Sequence, residues 1–170
     1  QIGADPERFI ALRQGSIQAA TLSHPTFILA QRAGFQVLWD FFKDVEYPWS
    51  EIATTRTLIK QDRDLVMRYM RAHIEGIARF KQEPELAKKV IKKMLRLDDD
   101  SLAQESWELF AKHRLAAPYP NIKGMKTSYE YVATLRPDVD VWKHKPEEFV
   151  DSSFVAELDK SGFIKKLYEK

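Results

Sequence analysis

The stretch Leu12–Asp40, LRQGSIQAATLSHPTFILAQRAGFQVLWD, alternates short apolar runs with turn residues. Ile17–Leu22 is largely apolar and bounded by polar residues, which is typical of a buried β-strand. Phe35–Leu38 is a second run of the same kind. Gly15 and Gly34 stand where a glycine commonly ends a helix. The stretch therefore predicts a strand, a short helix and a second strand, which together form a βαβ unit with a parallel sheet.

The loop between the first predicted strand and the short helix is the predicted ligand site. In open parallel sheets, ligands bind beyond the carboxyl ends of the strands. Pro25 suits the first helical position, which leaves the backbone N–H groups of Thr26 and Phe27 as donors for an anion. Ser23 and Thr26 add hydroxyl groups and His24 adds a ring N–H. The alternative is that Ser23 or His24 only caps the helix.

Three further residues are candidates for ligand contact. Gly3 ends a possible strand at Gln1–Gly3, where it either lets the backbone approach a ligand or serves as a turn glycine. Ile52–Ile59, IATTRTLI, is rich in β-branched residues and predicts another strand. Thr54 and Thr55 lie on this strand, and the alternative is that they are present only because threonine favours strands.

The composition indicates a globular chain and excludes several classes of function. Of 170 residues, 44% are hydrophobic and 31% are charged, which is not the composition of a disordered chain. The formal net charge of +2, with mixed signs, argues against a nucleic-acid partner. The absence of cysteine excludes disulfides and thiolate metal sites, and the histidines lack metal-ligand spacing. With no GxSxG or Walker motif either, we expect no enzyme activity, catalytic residue, cofactor or metal.

Helical periodicity dominates the chain after Asp62. Apolar residues recur every three or four positions from Leu65 to Phe80, and Glu83-Pro84 interrupts the pattern. Four more helices are predicted from their apolar faces and caps: Leu86–Leu95, a helix capped by Asp98–Ser101, Ile122–Val132, and one from Asp151 to Leu158 with Gly162 at its end. Near the amino end, Asp5-Pro6-Glu7 predicts a helix start, with Asp5 as the cap and Pro6 in the first turn.

Four segments, taken in this order, resemble a known family. They are ERFIALRQGSIQAATLSHP at 7–25, AGFQVLWD at 33–40, IATTRTLI at 52–59 and FVDSSFVAELDKSGFIKKLY at 149–168. The order resembles the substrate-binding proteins of bacterial ABC importers in the nitrate, sulfonate and taurine group, which includes relatives of thiamine-pyrimidine synthase. The resemblance covers nearly all of the chain.

The resemblance implies a periplasmic-binding-protein-like α/β fold. It implies a partial parallel sheet with flanking helices, followed by a helix-rich C-terminal half. Because family members are about twice as long, the chain resembles their C-terminal portion. Residues 1–55 would be part of lobe two, and residues 56–170 would be the crossover strand, the returning helices that complete lobe one, and the C-terminal helix.

The function implied by the resemblance is extracytoplasmic capture of a small anionic or heteroaromatic solute between two lobes. The expected partners are that solute and an ABC permease, and the exposed faces of the fragment would allow self-association. The expected location is periplasmic or extracytoplasmic, with a signal peptide in the precursor and a lipid anchor as one option. The alternatives are an enzyme of pyrimidine or menaquinone biosynthesis on the same scaffold, or the effector-sensing domain of a transcription regulator.

Overall fold

A computed structural model describes residues 2–48 and 50–169, and all regular elements in these ranges are helical. The α-helices are α1 (Asp5–Arg13), α2 (Thr26–Arg32), α3 (Phe41–Asp44), α4 (Arg56–Gln61), α5 (Arg63–Gln82), α6 (Pro84–Leu95), α7 (Asp100–His113), α8 (Met125–Leu135), α9 (Ser153–Lys160) and α10 (Phe163–Lys166). Short 3-10 turns occur at Val141–Lys143 and Pro146–Phe149. The prediction of an α/β fold with a parallel sheet is therefore wrong for the described residues.

The helices group into two compact units, and each is discontinuous in sequence. The first unit is the described part of Gln1–Asp40 with Pro84–Ala111, and it contains α1, α2, α6 and most of α7. The second unit is the described part of Phe41–Glu83 with Lys112–Lys170, and it contains the other helices. The predicted division into residues 1–55 and 56–170 stays a prediction.

Glycine ends α1 and α2, as the sequence predicts. Gly15 has φ +71° and Gly34 has φ +88°, a left-handed conformation that glycine adopts without steric cost. The N–H of Gly15 donates to the Leu12 carbonyl at 3.1 Å, and the N–H of Ser16 donates to the Ala11 carbonyl at 3.0 Å. This pair of bonds is a Schellman motif, and it satisfies carbonyl groups that the end of the helix leaves open.

The runs predicted to be strands on either side of α2 have irregular structure. In Ile17–Leu22, Ile17, Ala20 and Leu22 are half-buried and the other residues are exposed. In Phe35–Leu38, the Leu38 side chain is 83% exposed. An apolar run becomes a strand only where a neighbouring strand accepts and donates its backbone hydrogen bonds, and no such partner lies among the described residues. Of the predicted strand at 1–3, Gln1 lies outside the described residues, and Ile2 and Gly3 are irregular.

The predicted strand Ile52–Ile59 is instead a loop followed by α4. The Thr55 hydroxyl accepts a hydrogen bond from the Leu58 N–H at 3.1 Å, so Thr55 is the N-cap of this helix. An N-cap bond satisfies a donor that is otherwise unpaired, whereas the β-propensity of threonine has effect only within a sheet. Local capping therefore outweighs the strand pattern here.

The core of the second unit is formed by α5, α9 and α10. Ile74 on α5 and Leu158 on α9 have no exposed surface. They belong to a cluster whose other buried members are Met67, Phe154, Val155 and Ile164. The predictions of helices over Leu65–Phe80 and Asp151–Leu158 are confirmed within one or two residues, because in both segments the apolar residues recur with helical spacing.

In the first unit, Arg32 links the end of α2 to the start of α7. Its guanidinium donates to the Asp99 carboxylate and to the Ser101 hydroxyl, each at 2.8 Å, and also pairs with Glu105. These groups are exposed, so water screens their attraction and they contribute less to stability than buried apolar surface does. That buried surface comes from small and branched residues of α2, α6 and α7: Ile28, Ala30, Ala87, Ile91, Leu102 and Ala103.

We expect Leu158→Ala to lower the free energy of unfolding by about 2–5 kcal/mol, because it leaves a cavity in the core of the second unit. Leu135→Ala is the matched control, since the Leu135 side chain is 59% exposed. Its effect should stay within about 0.5 kcal/mol. Urea denaturation of both variants measures the difference, and equal losses would contradict this description of the core.

We expect Gly15→Ala to destabilise the protein by about 1–2 kcal/mol, because alanine is strained in the left-handed conformation. Gly76→Ala is the control within α5, where a Cβ atom would meet nothing within 4 Å. That substitution should stabilise the helix by about 0.5–1 kcal/mol. Thermal unfolding should therefore give shifts of opposite sign, and shifts of the same sign would contradict the assigned helix end.

Candidate functional site

A carboxylate at the start of α1 holds the Ser23–Thr26 loop. The Ser23 N–H donates to Asp5 Oδ2 at 2.6 Å, and the Ser23 hydroxyl donates to the same oxygen. Asp5 is the first residue of α1 and Ala4 is the N-cap, so the prediction that Asp5 caps this helix is wrong. One side chain thus binds both donors of Ser23, and the loop is attached to the first turn of the helix.

Arg8 completes this polar cluster. Its Nη2 donates to Asp5 Oδ1, and its Nη1 donates to the Thr21 hydroxyl at 3.3 Å. Burial alone would raise the pKa of Asp5, but the hydrogen bonds from Ser23 and the charge and hydrogen bond of Arg8 outweigh it and lower that pKa. Asp5 is therefore ionised at neutral pH, and Arg8 balances its charge beside the loop.

The remaining loop residues are packed rather than open. The half-buried His24 ring makes edge contacts with Phe27, at 5.1 Å between ring centroids, and with Phe110, at 6.0 Å. The His24–Pro25 peptide bond is cis, and Pro25 is the N-cap of α2 rather than its first residue. Thr26 begins α2 and is only 8% exposed.

The predicted backbone donors are only partly available. The Phe27 N–H donates to the Ser23 carbonyl at 2.9 Å, so it is already used within the protein. The prediction that Phe27 offers this group to an anion is therefore wrong. The two donors of Ser23 are also used within the protein, so the loop offers a solute fewer donors than the sequence predicts.

Gly3 lies two residues before Asp5 and is exposed. A Cβ atom at this position would come within 3.2 Å of the Glu7 side chain. This distance is tighter than usual but involves a flexible neighbour, so a small residue suits the position without being strictly required. Gly3 is therefore a near neighbour, along the chain, of the carboxylate that holds the loop.

Thr54 and Thr55 lie in the second unit. Thr55 is the N-cap of α4, and Thr54 is exposed in the preceding loop. The neighbouring Arg56 donates to the Glu148 carbonyl at 2.6 Å. The structure therefore gives Thr55 a local capping role and Arg56 a contact with the backbone of a distant segment.

Sequence reasoning missed Asp5 and Arg8. Asp5-Pro6 indicates a helix start, and that pattern says nothing about a side chain that reaches a loop 18 positions away. The only hint is the one-turn spacing of Asp5 and Arg8, which allows an ion pair on one face of a helix. Such pairs are common on surfaces, so the spacing alone does not mark a site.

In residues 2–48 and 50–169, no group of three or more histidine, aspartate or glutamate side chains is placed to hold a metal ion. Over the same ranges, no helix has the length and apolar character needed to cross a bilayer.

The second unit has an open groove of about 370 Å³ beside the C-terminal part of α5. It is lined by Glu75, Ala78, Arg79, Gln82, Glu83 and Leu167. The Arg79 guanidinium donates to both carboxylate oxygens of Glu83, at 2.9 and 3.1 Å, and Gln82 donates to the Leu167 carbonyl at 2.8 Å. Arg79, Glu83 and Gln82 thus use their polar groups within the protein, which makes the groove a weaker candidate than the loop.

Comparisons with protein-family models, curated proteins and solved structures found no match to this chain. Support for a function therefore comes from the sequence resemblance and from the geometry of the loop.

We expect Thr55→Ala to lower the free energy of unfolding by about 1 kcal/mol, because the first turn of α4 loses its cap. Thr54→Ala is the matched control, since Thr54 is exposed one residue earlier and does not cap the helix. It should change stability by less than about 0.5 kcal/mol. Chemical denaturation of both variants is the measurement, and equal stabilities would show that the Thr55 hydroxyl is not an effective cap.

Proposed function

We propose that this chain is part of an extracytoplasmic solute-binding protein that delivers a small anionic or heteroaromatic solute to an ABC permease. The resemblance of the four segments to that family supports the proposal. The family's parallel sheet is left out of this proposal, because the regular elements of the described residues are all helices. The proposal concerns the Ser23–Thr26 loop, which the resemblance places at the solute.

The observation that carries the proposal is the attachment of this loop to α1. Asp5 accepts two hydrogen bonds from Ser23, and these bonds attach the loop to the first turn of α1. A binding loop that is ordered in advance loses less conformational entropy on association, and it therefore binds more tightly with the same contacts. An attached polar loop suits a protein that captures a solute without changing it.

The orientation of Ser23 also favours binding over covalent catalysis at this loop. A serine nucleophile donates its hydroxyl hydrogen to a general base such as histidine. Ser23 instead donates to Asp5, which Arg8 and the two Ser23 hydrogen bonds keep ionised and weakly basic. Ser23 is therefore arranged as an anchor, and no bond of the solute needs to be made or broken.

The test is titration calorimetry of the chain with nitrate, taurine and an aminopyrimidine, followed by one substitution in the loop. Thr26→Val removes the hydroxyl and keeps the shape of a buried side chain. A hydrogen bond lost to a charged ligand costs about 1.5–3 kcal/mol, so we expect affinity to fall about ten- to hundred-fold while the melting temperature changes little.

Thr57→Val is the control, because Thr57 is an exposed threonine on α4 outside the predicted site. It should bind the same probe as tightly as the unsubstituted chain does. If all three probes fail to bind, the proposed function is contradicted. If one binds and Thr26→Val leaves its affinity unchanged, the solute does not contact the Thr26 hydroxyl.

A further inference from the structure

A continuous series of hydrogen bonds runs from the first turn of α1 to the first turn of α2. Asp5 Oδ2 accepts from the N–H and the hydroxyl of Ser23, and the Ser23 carbonyl accepts from the Phe27 N–H. Both the N–H and the carbonyl group of Ser23 are thus hydrogen-bonded. Hydrogen bonds therefore connect both the loop and the start of α2 to one carboxylate.

Asp5 is placed so that it acts through Ser23 rather than on a solute. Its side chain is only 17% exposed, and both of its oxygens are engaged, one by Ser23 and one by Arg8. A carboxylate accepts hydrogen bonds and has none to donate when it is ionised. Arg8 balances the negative charge of Asp5. Without Arg8, that charge would repel a nearby anionic solute.

Glu7 provides an internal comparison. It has the same charge and lies in the same turn of α1. Its side chain makes no hydrogen bond or ion pair with any residue that the structure describes, and it is exposed. Any effect of acidic charge at the start of the helix, including its interaction with the helix dipole, is shared by the two residues. Only Asp5 has the link to Ser23.

We infer that Asp5 is a positioning residue for the proposed solute site. By holding Ser23, it sets the place of His24 and Thr26 and the start of α2, and it controls solute affinity without contacting the solute. This role rests on the proposed function, because it assumes that the loop receives the solute. Ser23, which the sequence presents as a ligand contact, is then the anchor through which Asp5 acts.

The experiment compares Asp5→Ala and Glu7→Ala by amide hydrogen exchange and by calorimetry. In Asp5→Ala we expect the Ser23 amide to exchange about ten-fold faster or more, since its acceptor is gone, while Glu7→Ala leaves it unchanged. For any of the three probes that binds the unsubstituted chain, affinity should fall about ten-fold in Asp5→Ala and stay constant in Glu7→Ala. Circular dichroism should show equal helix content in both variants.

Two further variants separate positioning from simple loss of stability. Asp5→Asn keeps one acceptor oxygen and should restore part of both the exchange protection and the affinity. Ser23→Ala added to Asp5→Ala should cause little further loss of affinity, because the two residues form a single link. If Asp5→Ala fails to fold, Asp5→Asn compared with Glu7→Gln provides the same contrast.

Different results would overturn the inference and the proposed function. An unchanged Ser23 exchange rate in the Asp5 variants overturns the positioning role, and so does unchanged affinity for a probe that binds. If no probe binds the unsubstituted chain while Ser23 exchange still depends on Asp5, the proposed function fails and the structural link is confirmed.

Discussion

The ends of a helix leave backbone groups without partners, and meeting this constraint determines where many helices of the chain begin and end. Thr55 and Asp62 accept from the N–H groups of the first turns of α4 and α5, and Asp99 does the same for α7. Gly15 and Gly34 close α1 and α2 by taking the left-handed conformation. Each cap satisfies local groups and also sets the direction in which the following segment leaves. Gly15 in particular ends α1 ahead of the segment that leads to the candidate loop.

This constraint explains which parts of the fold the sequence predicts. The long helix α5 is predictable because apolar periodicity, the Asp62 cap and the Pro84 break all indicate the same element. The glycine stops are predictable because left-handed backbone is costly for other residues. In both cases the residues that determine the structure lie within a few positions of the element itself.

The strand predictions are wrong because the stability of a strand is not local. Leu38 and its neighbours have the composition of a strand, but composition does not supply the backbone of a second strand. At Thr55 the same residue type favours a strand in a sheet and a cap at a helix start, and only the structure decides between them. The candidate site shows the same limit, since the sequence predicts Ser23 as a polar loop residue but does not predict its partner Asp5.

There is also a chemical reason why the side chain that holds Ser23 is a carboxylate. Two donors from Ser23 and one from Arg8 must be accepted by one small side chain, and only an ionised carboxylate offers two oxygens and no competing donor. The same contacts lower the pKa of Asp5, so the stabilisation from this group is fully present above its ordinary pKa of 3.8 and is lost as the pH falls below that value. Near neutral pH the link is therefore complete, and the position of the loop does not depend on small changes of pH. An asparagine at this position would keep one acceptor but lose the charge that holds Arg8, so the anchor and its charge balance would weaken together.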